Sequence, residues 1–174
     1  KVGMYDCIRG VICDQRPASS ITREWQQVDD IRDHMLYFLE NHDEQRIASA
    51  FFAGNPWKGV PGMIVSALLQ QNPVMVYAGQ EFGERGMDKE GFSGRDGRST
   101  IFDYWTCEAV YKGFFHRDAL TTDEKKLSLV YQGILRFCNR EKAVREGQTF
   151  DLMYANNQSY QFNPRRQFAF LRKA

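Results

Sequence analysis

The apolar run Met35-Leu36-Tyr37-Phe38-Leu39 stops abruptly at Glu40-Asn41-His42-Asp43-Glu44-Gln45-Arg46, a cluster of carboxylates, amides, an imidazole and a guanidinium. Carboxylate and imidazole are side chains that move protons and hold polar substrates. Where a buried strand ends in such a cluster, the rigid strand fixes the groups that follow it. That is why parallel α/β folds assemble their chemistry at the carboxyl ends of strands. The competing reading is that Asn41 and Asp43 only turn the chain and cap the next helix, as both residue types readily do. Neither the pair His34 and His42 nor the adjacent Asp43-Glu44 has metal-ligand spacing.

The elements that must position this cluster can be read from periodicity. Residues 2–12, with Ile8, Val11 and Ile12 on one face, predict a short helix, and Cys13 to Ser20 a loop holding Pro17. Trp25, Val28 and Ile31 mark a charged amphipathic helix, and Met35 to Leu39 is a continuous apolar strand of the kind covered on both faces. Ile47 to Ala53 begins a helix. Met63, Ile64, Ala67 and Leu68 line a second helical piece that Asn72-Pro73 ends, and Val74 to Ala78 is the next strand. Gly83 to Thr100, with five glycines and eight charged residues, exceeds the ordinary connection of about 4 to 6 residues and belongs to the class of functional or mobile loops.

Thr121-Thr122-Asp123-Glu124 is a capping box, followed by Leu127, Val130, Tyr131, Ile134, Leu135 and Cys138 at helical spacing. Beyond Gly147 the period becomes two, through Phe150, Leu152, Tyr154, Tyr160, Phe162, Phe168 and Phe170. This predicts antiparallel strands with turns at Asn156-Asn157 and Asn163-Pro164. The order helix, strand, helix, strand, helix and then several strands is that of an α/β barrel tail entering an all-β domain. Two barrel strands leave open edges, so the chain is expected to belong to a longer polypeptide or to hide those edges by domain swapping or oligomerising.

Phe38-Leu39-Glu40-Asn41-His42-Asp43-Glu44-Gln45-Arg46 resembles the strand-seven motif of the α-amylase family of glycoside hydrolases, an apolar strand followed by Asn-His-Asp and an arginine three residues on. Asn72-Pro73-Val74-Met75-Val76-Tyr77-Ala78-Gly79-Gln80-Glu81 is similar to that family's strand-eight segment, with its Gly-x-Glu ending. The clear resemblance covers about positions 35 to 110. It implies an α/β fold class. Residues 1–146 would be the C-terminal portion of a (β/α)8 TIM barrel, carrying strands 7 and 8 with their helices, and residues 147–174 the start of an antiparallel β-sandwich domain.

The resemblance implies a retaining hydrolase of α-1,4-glucosidic bonds, active on starch or maltooligosaccharides. Such enzymes need one carboxyl to protonate the leaving oxygen and another to attack the anomeric carbon. In the family both lie on strands four and five, upstream of anything present here, so the chain alone is expected to be inactive. The family's third carboxylate maps onto Asp43, which would stabilise the positively charged sugar of the transition state. His42 would bind sugar hydroxyls, or be an imidazole satisfied by its neighbours, while Asn41 and Arg46 would support the loop. Glu81 would be a structural anion.

In Gly97-Arg98-Ser99-Thr100-Ile101-Phe102-Asp103-Tyr104-Trp105 the spacing from arginine to tryptophan is wider than in the family, making Arg98 the candidate for substrate binding and Arg95 its competitor. Tyr104 and Trp105 would pack at the barrel rim or stack on sugar faces. A non-catalytic glucan-binding protein or oligomeric scaffold built from the same barrel is the alternative, and a member acting on sucrose or trehalose is a third reading.

Composition narrows the classes. The 174 residues are 43% hydrophobic and 14% aromatic, enough for a real core, and 23 basic against 22 acidic residues leave no patch for phosphate backbones. Nucleic acid and membrane are not expected partners, because the longest apolar run, around Met63 to Leu69, falls short of the roughly 20 residues a span requires. Cys7, Cys13, Cys107 and Cys138 lack zinc-site spacing and are expected to be reduced. The glycine-rich loop matches neither a phosphate-binding nor a calcium-binding pattern, so no metal or cofactor is expected in this segment. The resemblance leaves room for a calcium ion elsewhere in the parent. The chain starts at Lys1 with neither initiator methionine nor secretory signal, which predicts a missing or processed start and leaves localisation unknown.

Overall fold

The computed structural model describes residues 3–86, 96–99, 101, 107–156 and 160–174. Arg95, Tyr104, Trp105 and the expected turn residue Asn157 lie outside them. The described residues form a mixed α/β structure, mostly helical, with two small two-stranded sheets, one parallel and one antiparallel. They fall into two compact units that interleave along the chain. The first holds residues 1–37, 62–75 and 135–174, and the second residues 38–61 and 76–134.

In the first unit, helix α1 (Gly3–Ile12) buries Met4, Tyr5, Cys7 and Ile8, so its inner face is set more by its first turns than by Val11 and Ile12. Helix α2 (Ser20–Gln26) stops earlier than the apolar spacing predicts, and Val28 is buried from a turn instead. Strand β1 (Tyr37–Phe38) and strand β2 (Val74–Met75) form the parallel sheet, the Tyr37 N–H donating to Pro73 O at 3.1 Å. Both strands are shorter than their apolar runs, and each has one neighbour among the described residues. Helix α3 (Val60–Leu68) lies between them in sequence, as expected.

The predicted run of strands beyond Gly147 is only partly present. Strand β3 (Gln148–Asp151) pairs antiparallel with β4 (Phe170–Lys173), Gln148 opposite Lys173 and Asp151 opposite Phe170. Where the alternation runs on through Leu152 and Tyr154, the chain instead turns into a short helix over Met153–Asn156. The cause is Asp151. Its Oδ1 accepts from the Met153 N–H at 2.8 Å, while its Oδ2 holds Thr22 Oγ1 at 2.7 Å and the Trp25 indole N–H at 3.1 Å. An Asx cap offers the backbone an alternative to the ladder, and here it wins. The turn at Asn163 is present, its Oδ1 accepting from the Arg165 N–H at 3.0 Å.

Arg172 on β4 holds this region together. Its five N–H groups go to the carbonyls of Leu69, Ala143, Val144 and Gly147 and to Thr149 Oγ1, at 2.6 to 3.2 Å. Burial and the nearby Arg32 lower its pKa.

In the second unit, Ile47 to Ala53 forms successive turns where a helix was expected. The Ile47 N–H donates to the Glu40 carboxylate at 2.7 Å and the Arg46 N–H to Gly97 O at 2.8 Å. The bonds that follow, Ser49 N–H to Arg46 O and Phe52 N–H to Ser49 O, span three residues, as in turns. Helix α4 (Glu108–Phe115) packs Ala109 with Phe82 and Leu120.

The long helix α5 (Thr122–Arg140) begins at the predicted capping box: the Thr121 N–H donates to Glu124 Oε2 at 2.6 Å and the Glu124 N–H to Thr121 Oγ1 at 3.2 Å. Burial raises the Glu124 carboxyl, but Lys112 Nζ at 2.8 Å and the Thr121 bonds outweigh it and hold its pKa below the ordinary value. The carboxylate therefore stabilises the fold above the unfolded-state pKa, and the contribution fades as pH falls through the folded one. Glu124→Ala should cost about 1 kcal/mol at neutral pH and much less in acid. Urea unfolding at both pH values checks this, and an equal cost at both would count against it.

Candidate functional site

The predicted cluster is a loop tied at its base by one buried carboxylate. Glu40, 2% exposed at the end of the first apolar run, accepts from Arg46 Nη1 at 2.9 Å and from the Ile47 N–H at 2.7 Å. Both ends of residues 40–47 are thereby fixed by a single side chain. Arg46 is fully buried, donates through Nε to Ser99 Oγ at 2.7 Å, and sits over the Tyr77 ring at 4.3 Å. A desolvated guanidinium over an aromatic face is a favourable contact in addition to its ion pair. Burial pushes the Glu40 carboxyl above its ordinary pKa, opposed by Arg46 and by the Ile47 N–H.

Within the loop, Asn41 Oδ1 accepts from the N–H groups of Asp43 at 2.8 Å and Glu44 at 2.9 Å, an Asx turn that shapes the tip. His42 and Asp43 stand at that tip, their side chains 53% and 77% exposed, with His42 Nε2 3.4 Å from Asp43 Oδ2. A solvent-facing carboxylate and the imidazole beside it can together accept from and donate to the hydroxyls of a polar ligand. Asn41→Ala removes both bonds that shape the tip and should cost about 1 kcal/mol, with faster amide exchange at Asp43 and Glu44. Unchanged exchange at both amides would sink that reading.

The second motif meets the first through Tyr77, on which Arg46 rests. Gly79 has φ +91°, a left-handed conformation, and a Cβ there would lie 2.5 Å from Val110 Cγ2. Glycine is required on both counts. The Glu81 carboxylate accepts from the Gly79 N–H at 3.0 Å, and burial raises its pKa against that bond and against the fields of Arg46 and Arg117. Gly79→Ala should cost about 2 to 4 kcal/mol, combining backbone strain with overpacking. A thermal midpoint within a degree or so of the parent chain would argue against it.

Arg98 donates to Asp96 Oδ2 at 3.2 Å through Nη1 and to Asp96 Oδ1 at 3.0 Å through its backbone N–H, next to Gly97, whose carbonyl receives the Arg46 N–H. Arg98 is therefore carried on a segment tied to the base of the loop.

Several residues of this assembly carry no local sequence signal. Glu40 is hidden in a charged cluster, and its burial depends on Arg46. Glu84, 3% exposed, accepts through Oε2 from the N–H groups of Ala109 at 2.9 Å and Val110 at 3.1 Å, closing the first turn of α4. Gln80 donates to Tyr131 Oη at 3.1 Å, both side chains being almost fully buried. No group of three or more His, Cys, Asp or Glu side chains among the described residues could hold a metal ion. Among them no helix is long and apolar enough to cross a membrane.

Neither a family model, nor a curated protein, nor a solved structure matches the chain.

Proposed function

We propose that the chain forms one wall of the active site of a retaining, α-amylase-type glycosidase acting on α-1,4-glucosidic bonds in starch or maltooligosaccharides. In this reading β1 and β2 are the seventh and eighth strands of a (β/α)8 barrel, and residues 147–174 open a C-terminal β-domain. The observation that carries it is the display of His42 and Asp43 on a loop whose base is locked by the Glu40–Arg46 pair, with Tyr77 of the second motif against Arg46. Asp43 supplies the anion that meets the sugar's developing positive charge, His42 binds a hydroxyl, and Asn41 and Arg46 hold the loop. Arg98 is the candidate for a further substrate contact. The nucleophile and the general acid come from a preceding part of the parent protein.

The test is to express the full reading frame around this segment and assay maltooligosaccharide cleavage by product analysis. Cleavage with retention at the anomeric carbon, absent from the isolated chain, is the expected result. Binding without cleavage by the full-length protein would instead favour a non-catalytic glucan-binding or oligomeric scaffold. That second reading draws on the short two-stranded sheets, whose strands each have one neighbour among the described residues.

A further inference from the structure

The first unit contains a polar cleft of 320 Å³ whose lining includes Trp25, Asp29, Arg32, Asp33, Gln71 and Arg172. This volume sits at the lower end of the range of about 300 to 1,000 Å³ typical of small-molecule sites. Its charges balance. Arg32 lies 3.1 Å from Asp29 and 3.6 Å from Asp33, and Arg172 adds a second positive charge. A net-neutral lining favours neither an anion nor a cation.

Donor capacity narrows the class further. All five N–H groups of Arg172 are spent on carbonyls and a hydroxyl, leaving it no fork for phosphate, and Arg32 is engaged between two carboxylates. The Asp29 and Asp33 side chains, 57% and 78% exposed, keep lone pairs for hydroxyl donors, since each carboxylate can accept about four bonds. Gln70, also in the lining and 5% exposed, has an Nε2 without an acceptor. The Trp25 indole is fixed by its bond to Asp151 and supplies a flat apolar surface.

We propose that this cleft binds a neutral, hydroxyl-rich molecule of mono- or disaccharide size. Hydroxyls donate to Asp29 and Asp33 and accept from the Gln71 N–H that its bond to Gly147 O leaves over, while the C–H face of the ring lies on Trp25. The cleft lies wholly within the first unit, includes no residue of loop 40–47, and its assignment does not rest on the glycosidase reading.

The test is a titration of the ¹⁵N-labelled 174-residue chain with maltose, following the Trp25 indole N–H and the Gly147 amide. Saturable shifts at both are expected, unaltered by Asp43→Asn. Asp29→Ala or Asp33→Ala, both at exposed positions, should weaken the apparent Kd by about tenfold, as for loss of one charge-assisted hydrogen bond. The proposal is overturned by the absence of saturable shifts, by equal shifts with inorganic phosphate, or by affinity unchanged in both variants. Shifts that vanish in Asp43→Asn alone would place maltose on the loop and likewise overturn it, while leaving the glycosidase reading intact.

Discussion

Glu40→Ala is expected to destabilise the protein by about 3 to 5 kcal/mol, the cost of leaving a buried charge without its partner. Arg46 has no exposed surface, and one of its terminal nitrogens, Nη2, already lacks a hydrogen-bond partner. Removing the Glu40 carboxylate strips Arg46 of its anion and the Ile47 N–H of its acceptor. The double variant Glu40→Leu/Arg46→Met should recover much of the loss, because apolar groups of similar volume commonly replace a buried pair at little cost. Denaturant unfolding of the three variants measures this. If Glu40→Ala costs under about 1 kcal/mol, or the double variant is worse than the single, the pair is not the lock of the loop.

The sequence carried the local signals and lost the non-local ones. The capping box at Thr121 was legible because both partners lie within four residues, and each bond satisfies a helix-end donor that has no other acceptor. The Asn41 turn was legible for the same reason. The helix expected from Ile47 is replaced by turns, in which the N–H groups of Ser49 and Phe52 reach the carbonyls of Arg46 and Ser49 and that of Ala53 reaches Ile47 O, a pattern that apolar periodicity does not encode. The strand expected through Tyr154 failed because Asp151 caps a helix while also holding Thr22 and Trp25, well over a hundred residues away in sequence.

In the candidate site, residue types alone could point to His42 and Asp43, since an imidazole beside a carboxylate after an apolar run is a pattern that local sequence shows, although the same residues also turn a chain. The clamp of Glu40 on Arg46 is different. A carboxylate four residues from another carboxylate reads as surface until its burial is known, and burial is a property of what packs around it. Glu84 and Gln80 were hidden in the same way, their partners Val110 and Tyr131 lying far along the chain.

On the proposed glycosidase reading, Asp43→Asn in the full-length protein should lower kcat/KM on maltooligosaccharides by about 10²- to 10³-fold, the range seen when one preorganised electrostatic contact to a transition state is removed. Most of the loss should fall on kcat, because a neutral amide still accepts a hydroxyl from the ground-state sugar but cannot offset the charge that develops on the ring. Folding should be untouched. The Asp43 side chain is 77% exposed, and the hydrogen bond that shapes the tip uses its backbone N–H, which asparagine retains.

The contrast with Glu40→Ala separates the two roles: one variant should lose stability, with activity falling only through disorder of the loop, and the other should lose turnover at full stability. His42→Ala should lie between them, raising KM more than it lowers kcat, because a hydroxyl contact made equally in both states contributes uniform binding. An Asp43→Asn enzyme that turns over within severalfold of the parent would remove the carboxylate from the mechanism. The exposed pair at the loop tip would then be a surface turn.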